Sequence, residues 1–570
     1  MAHDAPPRLI SPYRLAFVAS IGGFLFGTDL GMIGAANVYL RDQFHLTDAQ
    51  FGFATASAVL GCILGPGLGA WLCDAISRKR TMLVASLLLG VSAIFTAMPD
   101  VFGDGSDSST MAYFNFFRFV GGIGVGLCSV ASPMYIAEIA PPARRGAMGL
   151  MYQLAIVIGH AVAPLVAFGI VYFLRVNYGV TEAAVSENVW HQPWRWMFFS
   201  EMVFVVIYVG FLAGLPFSPR WLAGKGRFAE AEQALACIDG PEFARREIEE
   251  IRASLDEEVG TWSELFKPGI RTAVVIGILL TFFNNWTGWS VIGGYIPRLL
   301  QLAGFDRESA IGNFVAVYGA MAIMTVASIM LMDRVGRRPL WMIASLMMAV
   351  ITAATGYMFY MDVTGWPVLL ILGLVTIPHG LALGGIPWLM MSEIFPTRLR
   401  AKAVALTTTV LWIFIFAGAT LFPMITGYSQ REFLTARQSR VEGTALSFVD
   451  GSPDAIVDAE GRFLDAGFQA KDQITIIGAT SPQNDGTFVV SGVESGRLLL
   501  DGTANLKSEP GTAKTTVQVG SVAAAFYLFS VICVLSFMFG LWIMPETKGR
   551  TLEEIGSSWE HSAPESTQAR

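Results

Sequence analysis

Charge is scarce in this sequence. Asp, Glu, Lys and Arg make up 15% of its 570 residues, against about 25% in an ordinary soluble domain. With 53% hydrophobic residues and a mean hydropathy of +0.53, the shortage excludes an ordinary soluble protein and points to a membrane-embedded chain. Cysteine is sparse too. Cys62, Cys73, Cys128, Cys237 and Cys533 fall in apolar segments or in a loop read as cytoplasmic, which argues against a disulfide framework, and no Cys/His cluster has metal-site spacing. The net charge of -7 reflects acidic loops and gives no sign of a nucleic-acid partner. A Walker loop, a dinucleotide fingerprint and a nucleophile–base set are all missing, so an enzyme is not expected. The first residues lack the basic start and small-residue cleavage site of a signal peptide, so the first apolar segment is expected to persist as a helix.

What the chain has in abundance is long apolar runs. A hydrocarbon core about 30 Å thick takes roughly 20 helical residues, and twelve segments qualify: 13–37, 51–73, 81–99, 111–139, 148–174, 195–215, 271–302, 309–332, 339–361, 367–392, 403–427 and 521–544. Their many glycines suit close helix packing in lipid. Lys and Arg collect in the loops at 78–80, 144–145, 334–338 and 398–402, whereas the opposite loop at 100–110 has none. The basic side is therefore expected in the cytoplasm, with both termini inside. Tyr and Trp near 190–196 suggest an interfacial belt.

One internal repeat organises these segments. PMYIAEIAPPARRG (133–146) and PWLMMSEIFPTRLRA (387–401) each close an apolar segment and place a glutamate seven residues before an arginine, Glu138 with Arg145 and Glu393 with Arg400. Glutamates and arginines alike recur after 255 positions (138 to 393, 145 to 400). A repeat of that period in a many-span chain implies two homologous bundles facing each other. The expected fold is an all-α multi-pass membrane protein, twelve transmembrane helices in two pseudo-symmetric six-helix bundles. The expected divisions are an N-terminal bundle (1–215), a cytoplasmic helical linker (216–270), helices seven to eleven (271–427), an insert (428–520), helix twelve (521–544) and a cytoplasmic tail (545–570). In the linker, ARREIEEIRASLDEEV reads as a surface helix. In the insert, QITIIGA, GTFVVSGV and RLLLDG read as strands, with Asn484-Asp485-Gly486 as a hairpin turn. A small β module on the outer face, dispensable for transport, is the expectation.

Asp29 lies inside the first apolar helix. A lone carboxylate at membrane depth is costly when charged, so it should be paired, protonated, or each in turn. Arg118, in the fourth apolar segment, is the natural partner.

Five ordered motifs then resemble the sugar porter family of the major facilitator superfamily. They are GGFLFGTDLGMIGAA (22–36), RFVGGIGVGLCSVASPMYIAEIAPPARRG (118–146), SPRWL (218–222), MDRVGRRP (332–339) and PETKGRTLEE (545–554). The pattern is most similar to bacterial proton–sugar symporters, and it covers everything except 428–520. The resemblance implies a proton-coupling role for Asp29 and Arg118. It implies a cytoplasmic latch of Asp74, Arg78, Glu138 and Arg145 facing Asp333, Arg337, Arg338, Glu393 and Arg400. It also implies a midplane pocket of Gln153, Asn284, Asn285, Ser290, Gly384 and Trp388, in which carboxamides meet vicinal hydroxyls.

Several positions depart from the family pattern. Ala75 and Ser77 stand where the first latch loop has Arg and Gly, which implies a weaker N-terminal latch. Helix seven reads NNWTGWS instead of opening on a Gln pair, and Leu411 and Met321 replace a glutamine and an asparagine. His160 and His379 bring two titratable rings toward the expected cavity. The leading expectation is proton-coupled uptake of a sugar or polyol, driven by the proton gradient without a cofactor. The expected setting is the lipid bilayer of the plasma membrane, with the protein a monomer. Alternatives are a carrier of a small organic acid or other polar metabolite, a facilitative sugar uniporter and, remotely, a transporter-like membrane sensor.

Overall fold

The computed structural model describes residues 10–44, 48–102, 107–141, 144–178, 191–255, 260–289, 292–293, 296, 299–300, 307–361, 363, 365–396, 398–429, 439–470, 472–481, 483–502, 504–513, 515–519, 523–550, 554–555 and 559. Helices dominate because in hydrocarbon the backbone has no water to bond, and a helix satisfies its amides internally. The N-terminal half comprises α1 (Pro12–Phe44), α2 (Asp48–Ile76), α3 (Arg78–Ala97), α4 (Asp107–Ile139), α5 (Arg145–Tyr178) and α6 (Pro193–Ala213). Three short helices follow as the linker: α7 (Pro219–Gly224), α8 (Phe228–Asp239) and α9 (Pro241–Leu255). The expected surface helix is α9, which buries Ala244 and Ile251 in a small cluster with Ala231 and Leu235 of α8.

The C-terminal half comprises α10 (Ile270–Trp286), α11 (Arg307–Val335), α12 (Arg337–Tyr360), α13 (Trp366–Pro378), α14 (Ile386–Glu393), α15 (Arg400–Ser429) and α16 (Ala523–Trp542). A π-helical turn, His379–Leu383, joins α13 to α14, and the two make one span. Among the described residues, eleven helices are long and apolar enough to cross a membrane, while α10 has only 17 residues. The reason is a break after Trp286, where Gly288 takes φ 109°. Counting this interrupted segment gives the expected twelve-helix, two-half architecture. Within the N-terminal half α1 packs along α5, and α4 lies between α2 and α3; across the halves α5 meets α11, and α2 meets α15.

Between α15 and α16 the described residues form eight antiparallel strands: β1 (Arg440–Glu442), β2 (Leu446–Val449), β3 (Ala455–Asp458), β4 (Gln473–Ile477), β5 (Gly486–Glu494), β6 (Arg497–Leu500), β7 (Glu509–Pro510) and β8 (Thr516–Val519). The pairing runs β2–β3–β6–β5–β4–β8, and then β8 pairs with β1 and β7 with β2. The Gly443 N–H bonds the Thr515 carbonyl and the Gly511 N–H bonds the Leu446 carbonyl, so β1 runs into β2 opposite β8 running into β7, and the ladder closes as a barrel filled by Phe448, Ile456, Phe463, Ile474, Val490 and Leu498. Because its first and last strands are neighbours, the barrel enters and leaves at one place and can interrupt a helix connection without parting the helices. The turn at Asn484 is anchored: its side chain donates to the Lys507 carbonyl and accepts from the Lys507 N–H, both at 2.8 Å.

The aromatic run near 190–196 departs from the expected interfacial belt. Trp194 is fully buried and donates to Gln43 Oε1 at 2.8 Å, and Arg195 pairs with Asp100 at 2.6 Å. These side chains clasp helix ends together, and Trp196 is turned outward; Trp190 lies outside the described residues.

Candidate functional site

The deepest charges belong to the N-terminal half. Arg118 Nη1 of α4 donates to Asp29 Oδ1 of α1 at 2.5 Å, and both side chains are almost wholly buried. The guanidinium also lies over the Phe198 ring, 5.1 Å from its centre. Sequence reasoning missed a third member. Glu201 of α6 is buried, and its carboxyl lies against that of Asp29. The signal was available: Glu201 is a lone acid inside the sixth apolar segment. Two carboxyls and one guanidinium sealed from water are neutral only when they hold a proton, so the cluster has the composition of a proton-binding site.

Toward the middle of the molecule, α5, α10, α14 and the π-helical turn converge. Asn284 Nδ2 donates to the Leu383 carbonyl at 2.7 Å, tying α10 to the turn, and Asn285 bonds the Thr281 carbonyl of its own helix. His379 Nε2 and Gln153 Nε2 would lie 2.7 and 2.9 Å from a Cβ on Gly384, so Gly384 leaves room for both groups. His379 Nδ1 is buried and has no hydrogen-bond partner among the described residues. His160 Nδ1 donates to the Ile156 carbonyl at 3.1 Å, which leaves Nε2 as an acceptor. The two histidines do not touch. They are joined by a ladder of rings in which His160 stacks on Tyr318 (5.4 Å), Tyr318 meets Trp289 (5.5 Å) and Trp289 meets His379 (5.3 Å). Trp388 packs edge-on against Tyr152 and Phe26, and Trp412 donates to Ser129 Oγ. Ser290 lies outside the described residues.

The basic ends of the helices carry a network repeated in both halves. Glu138 accepts from Arg78 (2.9 Å) and from Ser218 Oγ (2.5 Å); Glu393 accepts from Arg337 (3.1 Å) and from Thr547 Oγ1 (2.7 Å). Asp74 and Asp333 brace the same arginines from within their loops. Ser218 and Thr547 belong to the motifs after the sixth and twelfth segments, and their contacts with the glutamates are not visible in the linear sequence. Arg338 is placed differently from the expected latch, since it donates to the Gly540 and Leu541 carbonyls at the end of α16. Arg145 and Arg400 are buried at the starts of α5 and α15. Arg145 lines a narrow cleft with Trp388, Leu389 and Ser392.

A model of the family described as "Sugar (and other) transporter" matches residues 15–438 and 511–559. The chain belongs to this sugar transporter family. The unmatched residues between the two stretches fall on the barrel, so the barrel interrupts the match to the family. An arabinose–proton symporter of Bacillus subtilis is 36% identical over 414 residues, 72% of this chain and 85% of that protein. A D-xylose–proton symporter of Escherichia coli is 31% identical over 430 residues, with the same two coverages. Among solved structures, a proton:xylose symporter bound to 6-bromo-6-deoxy-D-glucose superposes with a TM-score of 0.72 at 26% identity, covering 96% of this chain and 99% of the other. The family is one of transporters, and this sugar transporter is not an enzyme.

Proposed function

We propose that this sugar transporter imports a sugar or polyol together with protons, by alternating access between its two halves. The observation that carries the reading is the sealed Asp29–Arg118 pair with Glu201 beside it, one helix away from a pocket of amides and rings. Loading a proton onto the acids weakens their hold on Arg118, and release restores it, so protonation can bias the halves between two arrangements. Kinship with arabinose and xylose symporters supports both the substrate class and the coupling. Gln153, Asn284, Asn285, Ser290, His160, His379, Gly384 and Trp388 form the binding region, and the glutamate–arginine networks latch the cytoplasmic side. The chain works as a monomer in the plasma membrane, with both termini inside and the barrel outside.

Uptake by purified protein in liposomes tests this, over labelled sugars, polyols and small acids, with and without an inward proton gradient. A sugar accumulated only when protons flow inward supports symport. Sugar equilibration indifferent to pH would make the chain a uniporter with a structural Asp29–Arg118 pair. Accumulation of an acid alone would move the substrate to a different class.

A further inference from the structure

The two latch loops are repeats of each other, yet they are not used alike. Asp333 Oδ2 accepts from the backbone N–H of Ala147, in the first turn of α5, at 3.0 Å. That bond runs from the C-terminal half to the N-terminal half. Gly146 makes it possible, because a Cβ there would lie 2.3 Å from Asp333 Oδ1 and 2.8 Å from Arg337 Nη2. At the repeat position stands Ala401, which carries the methyl that Gly146 lacks. The carboxylate of Asp74, the repeat of Asp333, accepts only from Arg78 of its own loop (3.4 Å) among the described residues. Its side chain is 55% exposed, against 26% for Asp333.

The anchors of the two loops differ as well. In the C-terminal half, Glu546 accepts from the backbone N–H groups of Arg337 and Arg338, both at 3.1 Å, which places a full negative charge at the N-terminus of α12. Phe217 occupies the position of Glu546 in the other half, and Lys79 and Arg80 lie over its ring at 5.5 and 5.4 Å. One loop is fastened by a carboxylate, the other by an aromatic face.

Resting on the transport reading above, we propose that closure at the cytoplasmic face is one-sided: Asp333 seated on Gly146–Ala147 carries the bond between the halves, and Asp74 does not. Gly146 is then a positioning residue, kept small so that the Asp333 carboxylate can reach the first turn of α5. The C-terminal loop is the fixed jaw, and opening consists of α5 leaving Asp333.

Accessibility of the cleft between the halves reads this directly and needs no substrate. Full-length protein carrying Ser392→Cys is reacted with a membrane-impermeant maleimide in nanodiscs, corrected for labelling of the chain without that cysteine. Asp333→Asn and Gly146→Ala are expected to raise the labelling rate at least fivefold, and Asp74→Asn and Ala401→Gly less than twofold. An equal rise for Asp74→Asn would overturn the proposal, as would unchanged labelling in both Asp333→Asn and Gly146→Ala. The isosteric Asp333→Asn keeps the test valid if Gly146→Ala does not fold. Failure of sugar uptake with this labelling pattern intact would count against the substrate reading alone.

Discussion

Arg118 and Asp29 meet at 2.5 Å with both side chains closed off from solvent, and among the described residues the Asp29 Oδ2, Arg118 Nε and Arg118 Nη2 atoms lack a hydrogen-bond partner of good geometry. A purely structural ion pair at such depth gains most when every donor and acceptor is satisfied. Here several are left open, which suits a pair that must part. Asp29→Asn removes the acid while keeping the shape, so it should abolish accumulation against a gradient and retain exchange of substrate across the membrane. Counterflow in liposomes beside gradient-driven uptake separates the two, and accumulation retained by the variant would sink the coupling role.

His379 offers a second test. Its Nδ1 is buried without a hydrogen-bond partner among the described residues, and a buried polar atom left unsatisfied costs about 1–3 kcal/mol. A sugar hydroxyl on that nitrogen would offset the cost only in the bound state. His379→Phe should therefore raise KM about tenfold or more with a smaller change in kcat, and His379→Gln should recover part of the loss. A phenylalanine variant with unchanged KM would place the ring outside the substrate's reach.

Much of this was legible in the sequence, for physical reasons that also mark the limits. Asp29 announced itself because a charge inside an apolar run demands a partner, and the same reasoning applied to Glu201 would have completed the cluster. Glu138 and Glu393 were visible through the repeat. Ser218 and Thr547 were not, since contacts made across 80 and 154 positions leave no local pattern. The break after Trp286 was hidden because TGWS continues the apolar run in composition while Gly288 leaves helical geometry. The strands β4, β5 and β6 could be read from alternation, but barrel closure depends on pairing the first strand with the last.

The linker is fastened by Glu264, whose carboxyl is held down to about 2 by the Thr261 backbone N–H, the Thr261 hydroxyl and Arg398. Because this value lies below the ordinary 4.5, the stabilisation is fully present above the ordinary value and is lost as pH falls through about 2. Glu264→Gln should speed amide exchange across Trp262–Phe266, by a factor that holds between pH 7 and pH 5 and only begins to shrink at pH 4. A factor shrinking to one by pH 4 would show that the carboxylate is not held as described.

The barrel has its own buried core and adjoining ends. Replacing 439–519 with a short flexible linker should leave uptake within about twofold, since joining nearby ends costs little loop entropy. The excised barrel should unfold cooperatively by itself. A deletion chain that is monodisperse yet inactive would assign the barrel a part in transport.

The last prediction concerns a pair exchanged between the repeats. Ser77 takes φ 96° and ψ 157°, and Gly336 takes φ 107° and ψ 164° at the repeat position. Serine in that region carries strain of about 1–3 kcal/mol. It is offset by a cap, because Ser77 Oγ accepts from the Arg80 N–H at 3.3 Å, a bond typically contributing about 1 kcal/mol. In the other half Glu546 supplies the cap, and a Cβ on Gly336 would stand 2.6 Å from its carboxylate. Side chain at one position and carboxylate at the other are thus mutually exclusive, so each half uses one of two working combinations. Ser77→Gly alone should be close to neutral, trading strain for the cap. Phe217→Glu alone should destabilise by about 1–2 kcal/mol, through crowding against Ser77 and loss of the Lys79 and Arg80 ring contacts. The double variant should recover most of that loss, giving a coupling of at least about 1 kcal/mol between the two positions. Thermal unfolding of the four chains measures it, and additive effects would show that the two positions are independent.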